Sequence, residues 1–275
     1  MLVDFHCHTN ESDGTLTPPE LGAAMRARGV EIFAITDHDS LGAYPKLDGA
    51  GGTATVVTGI ELNTTYRGNE VHVLGFGFPV DAPEIGAAIE ANRGHRARRA
   101  EQMIEQLALA GYQLDVASVR AEAGHSQSAL GRPHVARALI RAGYVPDIET
   151  AFRTLLTAGK PGYVPSTYML PHEAVALVGR SGGVAVLAHP GRLKDEAIVD
   201  ELVNAGLAGL ETFYPTHSAS QIAHYRELAA RHGLVMTAGS DFHDLRYNPR
   251  GVGMEVDRAD IEPFLDLVLQ RIQPI

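Results

Sequence analysis

Short apolar runs alternate with helical patterns along most of the chain. VDFHCHT reads as a first strand, followed by TPPELGAAMRARG as a helix with Thr17 as N-cap, Pro18 in the first turn and Gly29 just past the end. EIFAITDHD reads as a second strand, a short helix is expected near 40–48, and TATVVTGIELN and EVHVLGFGF follow as strands three and four. Between about 80 and 170 the strand signal disappears, and helices are expected near 83–110, 115–123, 132–142 and 147–158. The alternation then resumes: PHEAVALVGRSG as helix, GVAVLAHP as strand, a helix near 194–205, LAGLETFYP as strand, SASQIAHYRELAARHG as helix, GLVMTAGSDFH as strand and a closing helix at 258–272.

Seven strands read as parallel and alternating with helices predict an α/β barrel. Residues 1–80 and 165–275 form the barrel in this reading, and 81–164 form a helical insertion that contributes to substrate binding. An open doubly wound sheet is the competing architecture, but no glycine-rich fingerprint follows the first strand.

In such barrels the C-terminal strand ends carry the chemistry. That rule selects His6 and His8 after strand one, with Asp13 in the following loop, His38 after strand two and Glu61 after strand three. It adds His72 in strand four, His189 after strand five, and Asp241 and His243 after the last strand. Strand alternation places Asp4, His6 and His8 on one face of VDFHCHT and Val3, Phe5 and Cys7 on the other. Barrel closure makes the first and last strands neighbours, so H-x-H and D-x-H would meet as one seam.

Nine nitrogen and oxygen donors without a thiolate are too many for one ion and suit two or three divalent cations, Mn2+, Fe2+ or Zn2+ among them. The single cysteine excludes an intrachain disulfide and reads as a buried apolar residue. No apolar stretch approaches membrane-spanning length, and the N-terminus lacks a basic region followed by an apolar run, so a cytoplasmic protein without a membrane partner is expected. The formal net charge of −10 argues against sequence-independent binding of duplex DNA. Eight arginines against four acids nevertheless fall within residues 92–141, inside the helical segment.

The motifs HCHT, ITDHD, GIELN, VHVLG, LAHP and GSDFH, in this order, resemble those of the PHP (polymerase and histidinol phosphatase) family, a branch related to the amidohydrolases. They cover residues 1–78 and 183–253. The resemblance implies a distorted (β/α)7 barrel, a trinuclear metal site with Mn2+ favoured, and phosphoesterase activity by a hydroxide bridging two metals. It implies that His6, His8, Glu61 and Asp241 hold one ion, that Glu61, His72 and His189 hold a second, and that Asp13, His38 and His243 hold the third. GRPHVARAL and GKPGYVP are similar to segments of the 3′,5′-nucleotide bisphosphate phosphatases, some of which also degrade short RNA from the 5′ end. The implied substrate is a small phosphorylated nucleotide or short oligonucleotide, cleaved at the 3′-phosphate, and no obligate protein partner is inferred.

The basic insertion then acquires a role. Arg132 and His134 precede or open a helix and could meet a phosphate there, with Lys160 and one of Arg96, Arg98 and Arg99 as further candidates. His217 is a candidate general acid or phosphate contact, and Asp4, Asp37 and Asp39 are expected to orient ligand imidazoles. His95, His125, His172, His224 and His232 have no converging partner and read as structural. Two alternatives stay open: a histidinol-phosphate phosphatase, and a metal-dependent binding module without catalysis.

Overall fold

The computed structural model describes residues 1–47, 49–122, 130–166, 168–246 and 248–271. The elements run β1 (Leu2–Asp4), α1 (Pro18–Arg28), β2 (Ile32–Ile35), β3 (Thr55–Tyr66), β4 (Asn69–Phe76), α2 (Pro83–Leu109), α3 (Val116–Glu122), α4 (Arg132–Arg141) and α5 (Ile148–Ala151). They continue with α6 (Pro171–Arg180), β5 (Val184–Leu187), α7 (Ile198–Asn204), β6 (Gly209–Phe213), α8 (Ala219–His232), β7 (Val235–Ala238), β8 (Met254–Glu255) and α9 (Arg258–Leu269). Helix α1 forms as its sequence dictates: Thr17 and Glu20 make a reciprocal capping box, and Gly29 ends the helix in the left-handed region at φ 78°.

The sheet order is β7-β6-β5-β4-β3-β2-β1-β8. It is a nearly closed eight-stranded barrel, and it corrects the expectation of seven parallel strands. Only Arg67 and Gly68 separate β3 from β4, both at positive φ (47° and 76°). A two-residue turn of that kind makes a hairpin and leaves no length for a crossover, so β4 runs antiparallel to both β3 and β5. The short β8, absent from the sequence reading, pairs antiparallel with the start of β1. Toward its end β1 turns instead to the β7 side, where Phe5 N–H donates to Ala238 O (2.9 Å) and His8 N–H to Phe242 O (2.8 Å).

Two other segments depart from expectation. The helix near 40–48 is a single 3-10 turn, Tyr44–Lys46, and the segment expected as one helix at 147–158 is α5 followed by a π-helical turn, Phe152–Leu156. Strict alternation also fails after Phe5: Val3 and Phe5 share a core with residues of β2 to β7 and of α9, whereas Cys7 packs against α1. Residues from so many strands meet only inside a barrel, so Phe5 lies inside, below His6 and His8, edge-on to Phe264 with centroids 4.9 Å apart.

Helix α2 joins two cores. Ile85, Ala88 and Ile89 pack on the barrel, while Ala100, Met103, Ile104 and Leu107 build a separate core with α3, α4 and α5. No helix among the described residues is long and apolar enough to cross a membrane.

Tyr44 pins β2 to β3 from outside the strands: its hydroxyl donates to Ile35 O (2.7 Å) and accepts from Gly59 N–H (2.5 Å). Tyr44→Phe keeps the ring but strands a buried N–H and a buried carbonyl, which costs about 1–3 kcal/mol. Urea unfolding is expected to show a lower midpoint at an unchanged m-value.

Candidate metal centre

The β1 and β7 ends, joined by Asp241 N–H donating to His6 O (2.7 Å), place His6, His8 and Asp241 side by side. Three non-glycine residues at strand ends, Asp39, His189 and Asp241, have positive φ (47°, 27° and 50°), the backbone strain that functional sites concentrate. Gly239 is needed because a Cβ there would lie 2.2 Å from the Cβ of His6.

Glu61 is the hub. Its Oε2 lies 3.1 Å from His6 Nε2, 3.2 Å from His8 Nε2 and 3.1 Å from His38 Nδ1. Its Oε1 lies 2.7 Å from His72 Nδ1 and 3.2 Å from His189 Nε2. Asp241 Oδ1 is 3.3 Å from both His6 Nε2 and His8 Nε2. Asp13 Oδ1 is 3.3 Å from His243 Nε2, and Asp13 Oδ2 is 4.0 Å from His38 Nε2. Three sets of donor atoms close enough to share an ion result: His6, His8, Glu61 and Asp241; His8, Asp13, His38 and His243; and His38, Glu61 and His72. The structure thus brings the nine expected residues together, with His189 joining through Glu61 Oε1.

The donor set fits divalent cations. His6 Nε2, His8 Nε2, Asp13 Oδ1, Glu61 Oε2 and His72 Nε2 are buried without a hydrogen-bond partner, all in this cluster. Such atoms are costly unless a cation completes them. The field has the matching sign. Burial works against charge on His8, but the Asp241 and Glu61 carboxylates beside it prevail and hold its imidazole up at about 10. Burial likewise opposes ionisation of Glu61, yet His38, His6 and His72 keep it well below the usual carboxylate range. Positive charge is therefore favoured at this point, whether carried by protons or by metal ions.

The orienting carboxylates differ from those expected. Asp4 binds Ser240 N–H (2.9 Å), Ser240 Oγ (2.7 Å) and Gly253 N–H (2.8 Å), so it ties loops and faces no imidazole. Asp37 accepts from Thr9 N–H, Thr9 Oγ1 and Ser12 Oγ and so shapes the loop that carries Asp13. Asp39 accepts from Asn63 Nδ2 (2.7 Å), and that same amide lies 3.2 Å from His38 Nδ1. Glu211 on β6 touches an imidazole of the cluster directly. Its Oε1 lies 2.9 Å from His6 Nδ1, and its Oε2 accepts from the His189 N–H at 2.6 Å. A lone acid in the apolar strand LAGLETF was the signal for it.

A mouth of about 200 Å³ lies over the cluster and is lined by Arg96, Arg99, Arg132 and Arg192. Arg99 Nη1 (2.5 Å) and Arg132 Nη2 both reach the Glu70 carboxylate on β4, and Arg96 Nε binds Asp39 at 3.0 Å. Burial opposes the charge on Glu70, but Arg132 and Arg99 hold it down at about 2. Arg192, absent from the sequence reading, stacks over Tyr214 and lies 3.3 Å from Asp241 Oδ2, to which Tyr214 Oη donates at 2.7 Å.

Other candidates fall elsewhere. Lys160 is exposed in a turn and Arg98 is exposed on α2; neither lines the mouth. His134 is buried, accepts from the Gly131 N–H at 3.0 Å, and burial pushes its imidazole down to about 4, so it shapes the start of α4 as a neutral ring. His217 has both nitrogens engaged, Nδ1 with Thr212 O (3.0 Å) and Nε2 with the Gly191 N–H (3.2 Å). Those bonds clamp the loop after His189 and tie both ring nitrogens to the backbone. His95, His172, His224 and His232 stay outside the cluster, and His125 lies outside the described residues.

Glu211→Gln retains shape but can accept only one of the two N–H groups that Glu211 binds. Affinity for Mn2+ is expected to fall about 10–100-fold, as for other residues that orient metal ligands. Calorimetric titration of metal-stripped protein checks this.

No family model matches the chain. It is 34% identical over 268 residues to the 3′,5′-nucleoside bisphosphate phosphatase of Chromobacterium violaceum, covering 94% of this chain and 93% of that protein. It is 34% identical over 248 residues to the phosphoribosyl 1,2-cyclic phosphate 1,2-diphosphodiesterase of Eggerthella lenta (88% and 94%) and 30% identical over 252 residues to the 5′-3′ exoribonuclease Rnm of Escherichia coli (88% and 85%). Among solved structures it resembles an amidohydrolase from C. violaceum with bound sulfate (TM-score 0.90, 31% identity, 98% and 97% covered). It also resembles a protein described as a metal-dependent phosphoesterase of Bifidobacterium adolescentis (TM-score 0.87, 31% identity, 96% of each chain). With this identity over nearly the whole chain, on a barrel whose strand ends gather a divalent-cation donor set, the chain belongs to the PHP-type metal-dependent phosphoesterases and is a phosphoric ester hydrolase.

Proposed function

We propose that the enzyme removes the 3′-phosphate from nucleoside 3′,5′-bisphosphates, using three divalent cations with Mn2+ as the preferred metal. The observation that carries this reading is the set of four guanidinium groups lining the same small mouth as the metal ligands, in a chain of net charge −10. One phosphate monoester needs only the cluster. The arginines supply a second anion site, where Arg99 and Arg132 already converge on one carboxylate and retain a net positive charge.

When bound, the cations supply Lewis-acid polarisation of the phosphoryl oxygens and acidify water. His6, His8, Glu61 and Asp241 would hold one of them, Glu61, His72 and His189 a second, and Asp13, His38 and His243 a third. Glu211 keeps His6 and His189 in register, and the unpaired N–H groups of Arg192 face the transferring phosphoryl group beside Asp241. The Glu70 arginines bind the 5′-phosphate. A substrate whose organic part is cationic, such as histidinol phosphate, meets repulsion in this mouth, which disfavours the histidinol-phosphate reading.

Phosphate release from adenosine 3′,5′-bisphosphate, 3′-AMP and histidinol phosphate tests the assignment. The bisphosphate is expected to have the highest kcat/KM, and a higher value for histidinol phosphate sinks it. Arg132→Ala is expected to lower kcat/KM for the bisphosphate about 10–100-fold, the loss of one or two charge-assisted hydrogen bonds. 3′-AMP, which has no 5′-phosphate to lose, should change by no more than about threefold.

A further inference from the structure

We propose that the helical insertion, besides supplying anion-binding arginines, sets the affinity of the third ion site through Arg137, a positioning residue for Asp13; this rests on the three-ion reading given above. Asp13 stands apart from the other donors. It lies nine residues beyond the end of β1, in a loop, whereas every other donor of the cluster lies in a strand or within five residues of the end of one. A strand end is held by its ladder, but a loop donor needs something else to fix it.

The barrel fixes the start of the loop. Thr9 N–H, Thr9 Oγ1 and Ser12 Oγ donate to Asp37, and the N–H groups of Ser12 (3.1 Å) and Gly14 (2.9 Å) close the turn on Thr9 O. Asp13 is 2% exposed, and its Oδ1 is buried without a hydrogen-bond partner. The insertion holds this residue from the other end: Arg137 Nη2 donates to Asp13 O at 2.6 Å. Carbonyl and carboxylate hang from one Cα, so fixing the first restricts where the second can lie, with Oδ1 3.3 Å from His243 Nε2 and Oδ2 4.0 Å from His38 Nε2. The buried ring of His134, three residues earlier on α4, lies beside the Ser12 backbone.

Arg137 acts from a rigid element. Val135, Ala136, Ala138 and Leu139 of α4 share the insertion core with Met103 and Leu107 of α2, so the helix that carries the guanidinium is packed in place. The start of α4 reaches the mouth, which Gly131, Arg132 and Pro133 line, whereas Arg137 lines two outer grooves and not the mouth. Its effect on the reaction therefore passes through Asp13 and not through a phosphate. Among the described residues, Asp13 is also the one donor of the nine that accepts a hydrogen bond from the insertion. Loss of that bond strikes the ion held by Asp13, His38 and His243 and leaves the donors of the other two in place.

The test titrates Mn2+ into metal-stripped, full-length wild type, Arg137→Ala and Arg141→Ala, with binding read by calorimetry and free Mn2+ by electron paramagnetic resonance. Arg141 is the control: it lies on the same helix but pairs with Glu122. Expected are three ions in wild type and in Arg141→Ala. In Arg137→Ala two ions bind as in wild type and the third binds about 10–100-fold more weakly, the loss usual for a group that orients a metal ligand. At limiting Mn2+ the kcat of this variant on adenosine 3′,5′-bisphosphate falls, and raising Mn2+ by about the same factor restores it. KM stays within about twofold, because Arg99 and Arg132 are untouched. Should Arg137→Ala fail to fold by circular dichroism, Arg137→Met keeps the aliphatic stem and removes the donors. A third ion bound as tightly as in wild type, or an equal loss at all three, overturns the role of Arg137 and leaves the three-ion reading standing. A wild type that saturates below three ions overturns that reading, and the proposal with it.

Discussion

A single buried carboxylate sits among five imidazoles, and the architecture around it follows from that charge. Glu61 is 1% exposed, and an ion so far from water costs several kcal/mol unless opposite charge and hydrogen bonds offset it. No one strand can supply the compensation. It comes from the ends of β1, β2 and β5 and from the body of β4, so each of these must deliver a histidine to the same point. The antiparallel hairpin belongs to this requirement. With β4 reversed, His72 lies opposite Asn63, two residues along from Glu61, and its ring reaches Glu61 Oε1 from the strand itself rather than from a loop.

The same electrostatics tie the helical insertion to the barrel. Between the barrel-facing and insertion-facing halves of α2 lie Asn92 and Arg96, both buried, and both bind Asp39. Asp39 also holds Asn63, which lies against His38. A chain of three polar contacts thus runs from His38 in the donor cluster to the helix that carries Arg99, fixing that helix relative to the cluster. Breaking a buried pair of this kind leaves an uncompensated charge, which makes the docking of α2 specific as well as stable.

Much of this was legible in the sequence, and the remainder was not for identifiable reasons. Periodicity located α1, α2, α4 and α8; capping boxes and glycine C-caps agree with it in α1 and α8, and a proline in the first turn does so in α2 and α4. Strand-end position picked out the residues of the cluster, because the barrel rule needs only the order of elements. Strand direction is not written in the apolar pattern: GIELN and EVHVLGFGF leave a six-residue gap between them, and only the extension of β3 to Tyr66 and of β4 back to Asn69 reduces it to a hairpin turn. Glu211 was missed because it contributes from within a strand. Arg192 was passed over because a lone arginine after LAHPG looks like an ordinary loop residue until Tyr214 and Asp241 are seen around it. His134 and His217 illustrate the converse. Both have motif-like surroundings, but backbone groups engage Nδ1 of the buried His134 and both nitrogens of His217, and neither property can be read from neighbours in sequence.

Asp241 joins the chemistry to its selectivity. One carboxylate oxygen faces His6 and His8, and the other is held by Tyr214 and approached by the half-exposed Arg192. Whatever draws Arg192 toward a phosphate also changes the charge felt by that carboxylate, and so the field at the cluster. Tyr214 limits the consequence, since its 2.7 Å hydrogen bond is shorter than the 3.3 Å approach of Arg192 to the same oxygen. The hydrogen bond that holds Asp241 Oδ2 therefore comes from Tyr214, whatever the contacts of the half-exposed Arg192. In so small a mouth a neutral hydroxyl, rather than the cation, carries the bond that fixes this carboxylate, so the cluster is preorganised by groups that do not face solvent.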